Sequence, residues 1–169
     1  MEFTGIWNTY IELSTTAYEN GHYDVAETML RAAYKQAPKS ADNGHAQMAV
    51  VLENLAEVFV KQNRYDKAER VYRRALGMHL RNRQEGYRHA ARVCFKMSHL
   101  YLVSDRTTMF SKWYQKALAY ARDSTMPTDE RAQHMLLLVQ FLHKKGEHEP
   151  AWQIYREVLS MRHDMRPGP

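Results

Sequence analysis

The chain has 169 residues, 44% hydrophobic and 25% charged, with only 7 Gly and 5 Pro. That composition excludes a disordered chain and favours helix, because its abundant Ala, Leu, Met, Glu, Lys, Arg and Gln lose least side-chain freedom there. The single cysteine, Cys94, excludes an internal disulfide, and the longest apolar run, Met135 to Val139, is far short of the about 18 residues that span a membrane. The opening residues, Met1-Glu2-Phe3-Thr4-Gly5, lack the basic start and apolar run of a signal peptide, so a cytoplasmic location is expected. Formal net charge is +5 but uneven: −3 over residues 1–42, +4 over 43–84, +4 over 85–126 and zero over 127–169. A basic middle attracts acidic peptides, acidic proteins or nucleic acid phosphates, and serves equally as a plain solvated helix face.

Taken in chain order, the first helix pair is predicted over about 5–38. Tyr10, Leu13 and Ala17 form one stripe, Asn20-Gly21 a turn, and Tyr23, Ala26, Leu30, Ala33 and Pro38 follow. The pattern returns 42 residues on, over 43–82: Leu52, Leu55, Ala56 and Phe59 precede a turn at Asn63, and Tyr65, Ala68, Tyr72 and Ala75 follow it. A third copy over 85–123 has Cys94, Met97, Ser98 and Tyr101, a turn at Ser104-Asp105, then Tyr114 and Ala117. There Thr107 replaces the aromatic residue after the turn and Phe110 stands in place of Ala, which predicts irregular packing. The fourth, over 128–164 with a tail at 165–169, has Met135, Leu138, Val139 and Leu142, then Gly146, Ala151, Tyr155 and Val158. The small residues let paired backbones approach, and the turn residues tolerate the positive φ found just past helix ends.

These residues and their spacing resemble the tetratricopeptide repeat family, and the 42-residue period, with Leu52-Glu53-Asn54-Leu55-Ala56 and Tyr72-Arg73-Arg74-Ala75-Leu76, is similar to its kinesin-light-chain variety. The resemblance implies one all-α domain, a right-handed α-solenoid of four antiparallel helix pairs, and a protein-interaction scaffold or adaptor rather than an enzyme. The first helix of each pair should then line a concave groove. The residues opposite the packed stripe are Asn8, Glu12, Thr15 and Glu19; Glu53, Asn54, Glu57 and Lys61; Arg92, Lys96 and His99; and Gln133, Leu137, Gln140 and Lys144. Asn54 sits where related repeats place an asparagine that bonds a peptide backbone, and Arg92 with Lys96, one turn apart, suits a ligand carboxylate. Together they resemble part of a carboxylate clamp, although Ile11 and Thr15 occupy the positions where its Lys and Asn are expected. The expected partner is a protein or peptide, acidic or bound by its C-terminus.

Other chemistry finds little support. The nine histidines include no His-x-x-x-His pair, and His134, His143 and His148 fall on different turns, so neither metal nor cofactor is expected. Cys94 lies on a packed stripe, and there is no Gly-rich phosphate loop or serine elbow. The rival from another class is nucleic acid binding through a basic stripe of Lys67, Arg74 and Arg81, with Arg70, Arg73 and Arg83 nearby, though no base-reading residue recurs. Because the array stops after its eighth helix, Trp152, Ile154 and Met161 are expected to be partly uncovered and to support self-association through the C-terminal pair.

Overall fold

The computed structural model describes residues 3–37, 44–81, 86–124 and 126–163; Pro38, Arg83 and the tail at 165–169 lie outside them. Among the described residues the regular elements are helices: α1 (Phe3–Glu19), α2 (Tyr23–Gln36), α3 (Gly44–Lys61), α4 (Tyr65–His79), α5 (Gly86–Val103), α6 (Thr107–Arg122), α7 (Thr128–Lys144) and α8 (His148–His163). None is long and apolar enough to cross a membrane. The helices fall into two compact units, residues 1–86 and 87–169, each holding two helix pairs.

Each pair turns the same way for the same reason. Gly21, Asn63, Asp105 and Gly146 have φ of 76°, 57°, 58° and 78°, at spacings of 42, 42 and 41 residues. After α1 the next amide, His22 N–H, reaches back to the Ala17 carbonyl at 2.8 Å, while Gly21 N–H bonds Tyr18 O at 3.1 Å. The same two bonds recur from Arg64 and Asn63, Arg106 and Asp105, and Glu147 and Gly146. This pairing satisfies the last carbonyls of the first helix and sends the chain back antiparallel. A Cβ on Gly21 would meet nothing within 4 Å, so Gly21→Ala isolates the backbone cost. It should destabilise by about 1–2 kcal/mol in denaturant titration.

In unit 1, Ala26, Leu30 and Ala33 of α2 and Ala68, Tyr72, Ala75 and Leu76 of α4 are buried. Nearly the whole circumference of α3 is buried as well, including Val51, Leu52, Leu55, Ala56, Val58 and Phe59. On α1 the packed position is Ser14 beside Ala17, whereas Leu13, expected on that stripe, is exposed. The turn after α3 is tied to the start of α2: Gln62 donates to Asp24 at 2.8 Å and Arg64 to Glu27 at 2.6 Å. Burial alone would raise the Glu27 carboxyl, but hydrogen bonds from Arg31 and Arg64 outweigh it and hold it below its ordinary 4.5. A depressed carboxyl stabilises the fold above its unfolded value and loses that contribution as pH falls through the folded one. Acid titration of stability should therefore show a loss beginning near pH 4.5 that Glu27→Gln removes.

In unit 2, Phe110, Trp113 and Tyr114 of α6 are buried. Phe110 stacks on Tyr114 with centroids 5.8 Å apart, Trp113 stacks on Tyr101 at 6.4 Å, and Tyr114 OH donates to Glu157 at 2.8 Å. Helix α6 is unbroken from Thr107 to Arg122, so the departure expected from Thr107 and Phe110 is confined to side chains: a larger aromatic core replaces an Ala contact. Cys94 is fully buried and its thiol is pushed up to about 12 by that burial, partly offset by Lys116, which leaves no thiolate for nucleophilic work.

Candidate peptide-binding surfaces

In unit 1 the first helices of the two pairs, α1 and α3, help to enclose a cavity of about 150 Å³. Ser14, Thr15 and Tyr18 of α1, Leu30 of α2, and Asn54, Glu57 and Val58 of α3 line it. The spacing explains the set: Ser14 and Tyr18 are one turn apart on α1, as are Asn54 and Val58 on α3. The Ser14 and Thr15 hydroxyls both donate to the Ile11 carbonyl, at 2.7 and 3.0 Å. This is the back-bonding that such residues adopt inside helices, and it leaves oxygen lone pairs facing outward. The Tyr18 phenol is pushed up to about 12, by burial first and then by Glu57 and Tyr23, so it remains a neutral donor.

Asn54, half-buried, adds an amide with both donor and acceptor, and Glu57 is the single charge in the lining. Glu12 and Glu19 are exposed on α1. A peptide crossing this surface would meet hydrogen-bonding groups suited to its backbone, together with negative charge that opposes acidic side chains. The sequence pointed to Asn54, Glu57 and Thr15 here. Tyr18 and Ser14 were missed because their period matches that of the packed stripe.

Glu53, expected on the groove, is a core residue. It is 1% exposed, and its Oε1 lies 2.7 Å from Nε2 of His79, itself buried on α4. With α3 buried on almost every side, a polar residue next to Asn54 still points inward, and His79 supplies the partner that a buried carboxylate requires.

In unit 2 the predicted residues share two helices. Arg88 bonds Glu130, Phe95 stacks on His134 with centroids 5.3 Å apart, and the His99 ring stands edge-on to Phe141 at 4.1 Å. These contacts join α5 to α7. His99 is thus a packing residue as well as a surface one. Arg92 is half-buried and donates to His89 Nδ1 at 2.7 Å, and Lys96 is half-buried one turn further on. Gln133, Leu137 and Gln140 form an exposed stripe on α7.

At the C-terminal pair, Trp152 is 54% exposed, stacks on Tyr155 and lines a cavity of about 520 Å³ with Val139, His143, His148, Glu149 and Ala151. Met161 is half-buried, but Ile154, expected to be uncovered, is 4% exposed because it faces the pair's own core. The tight turn at Gly146 also brings His143 and His148 together, Nδ1 to Nδ1 at 3.2 Å, although they sit on different helices.

The tetratricopeptide repeat family model matches residues 7–81. Among solved structures, BtubC (BKLC) from P. vanneervenii is 20% identical with a TM-score of 0.74, over 96% of this chain and 66% of that one, so the chain spans about two thirds of its length. PilF from Pseudomonas aeruginosa is 21% identical with a TM-score of 0.46, over 95% of this chain and 78% of that one. No curated protein sequence matches. The BtubC likeness extends the fold of stacked helix pairs beyond the matched segment, and the same positive-φ turn recurs at Asp105 and Gly146. Among the described residues there are four such helix pairs, and the first two carry the match to the tetratricopeptide repeat family.

Proposed function

We propose that this chain holds an extended segment of a partner protein against the first helices of its pairs. Repeats of this family are in general non-catalytic protein-interaction scaffolds. The observation that supports the finer reading is the Asn54 amide at the α1/α3 cavity, flanked by Tyr18 OH and the Glu57 carboxylate. One side-chain amide offers the donor and acceptor that an extended residue presents in complement. The segment facing unit 1 is neutral or basic, since Glu57, Glu12 and Glu19 oppose an acidic one. Arg92 and Lys96 of α5 provide for a ligand carboxylate, whether an acidic side chain or a C-terminus.

Peptides selected from a random display library on the immobilised full chain provide the test. Asn54→Ala should weaken the selected peptides about tenfold, or ~1.4 kcal/mol, through loss of the paired hydrogen bonds. Arg92→Ala with Lys96→Ala should weaken only peptides bearing an acidic residue or a free C-terminal carboxylate. Selected peptides that bind Asn54→Ala as tightly as the parent would remove the basis for this reading.

A further inference from the structure

On the other side of α3, in unit 1, lies a second cavity of about 400 Å³, within the roughly 300–1,000 Å³ range of sites for small organic ligands. Its floor is apolar, formed by Leu52, Leu55 and Phe59 of α3 with Val71 of α4. Its walls carry Arg31, Tyr34 and Lys35 from α2 and Arg70 and Arg74 from α4, and no acidic residue lines it. The four cations differ in their engagement. Arg31 is paired with Glu27 at 2.8 Å, and Arg74 lies over the Tyr34 ring and donates to its hydroxyl at 2.6 Å. Neither Lys35 nor Arg70 has an ion-pair partner among the described residues. Two walls of positive charge thus face each other across an apolar floor.

We infer that this pocket binds a small amphiphilic anion: an aliphatic or aromatic body seated on Leu52, Leu55, Phe59 and Val71, with a carboxylate or phosphate held between Lys35 and Arg70. The floor explains why the body is apolar. It offers no hydrogen-bonding group, since its side chains are apolar and the helix backbone is internally paired, so a nucleobase edge would be stranded there. The walls explain the charge: an anion gains charge-assisted bonds from both helices, whereas an uncharged analogue gains only the floor. This site lies between α2 and α4 on the other side of α3 from the α1/α3 cavity, shares no lining residue with it, and is independent of the peptide reading above.

The probe is 8-anilinonaphthalene-1-sulfonate, compared with its uncharged counterpart N-phenyl-1-naphthylamine, in fluorescence titrations of the full chain. The sulfonate should bind at least tenfold more tightly than the neutral dye. Lys35→Ala with Arg70→Ala should cost about tenfold, and Lys67→Ala with Arg81→Ala, equally basic but outside the lining, should change nothing. Decanoate and decyl phosphate should displace the dye, and their relative potencies distinguish a carboxylate from a phosphate source. Equal binding of the neutral dye, or equal losses in the two double variants, would overturn the proposal. So would displacement by an Asp/Glu-rich peptide but by neither amphiphile, which would make the site a polypeptide one. All four replaced residues are exposed, and a circular dichroism spectrum matching the parent confirms that each variant is folded.

Discussion

Glu53→Ala should destabilise the chain by about 3–5 kcal/mol, the cost of leaving one member of a buried polar pair behind. Both side chains are nearly inaccessible, at 2% and 3%, and their 2.7 Å contact is in the short range of charge-assisted bonds. Truncation removes an acceptor that water cannot replace and opens a void between α3 and α4. Glu53→Gln preserves shape and one hydrogen bond, so it should cost only about 1 kcal/mol. The contrast between Ala and Gln, read in guanidinium titrations of the full chain, separates this role from a groove-facing one. A groove-facing Glu53 would leave stability within about 0.5 kcal/mol for either substitution, as solvated surface positions do.

Gly86→Ala should be the next most damaging change, and Gly77→Ala should act in the opposite direction. A Cβ on Gly86 would lie 2.1 Å from the His79 carbonyl oxygen and 3.0 Å from its carbonyl carbon. These are backbone atoms and cannot swing aside, so the end of α4 or the start of α5 must move. Overpacking of this kind costs about 1–3 kcal/mol, and the strain bears on the residue that holds Glu53. Gly86→Ala and Glu53→Ala should therefore combine non-additively in a double-mutant cycle. Gly77, near the end of the same helix, is exposed and would have nothing within 4 Å of its Cβ. Alanine there should stabilise by about 0.5–1 kcal/mol, through lost unfolded-state freedom and better helix propensity.

The features that were legible in the sequence are those with local causes. Gly21, Asn63 and Gly146 announced turns because few residues tolerate positive φ, and Ala26, Ala68 and Ala151 marked close backbone approach because only small side chains allow it. Helical phase put Asn54 and Glu57 on the side of α3 away from its packed stripe, and both line the α1/α3 cavity. What failed depended on neighbours from distant segments. Glu53 reads as surface until α4 brings His79 to it, and Ile154 reads as uncovered until α7 and α8 pair. His143 and His148 have no helical spacing because the turn at Gly146, not a shared helix face, joins them. The pocket pairs Lys35 of α2 with Arg70 of α4, 35 residues apart in sequence, and the basic run on α4 alone suggested a stripe rather than an enclosure.

The central claim is that a partner's backbone is read by Asn54 on the α1/α3 surface. Titration of the ¹⁵N-labelled chain with a library-selected peptide, followed in heteronuclear NMR spectra, tests it most directly. The Asn54 side-chain amide pair and the backbone amides of Thr15, Tyr18 and Glu57 should shift together and saturate at one dissociation constant, while Lys35 and Arg70 stay in place. An unmoved Asn54 amide pair, with shifts confined to α2 and α4, would contradict the claim and place partner binding on the opposite face of α3.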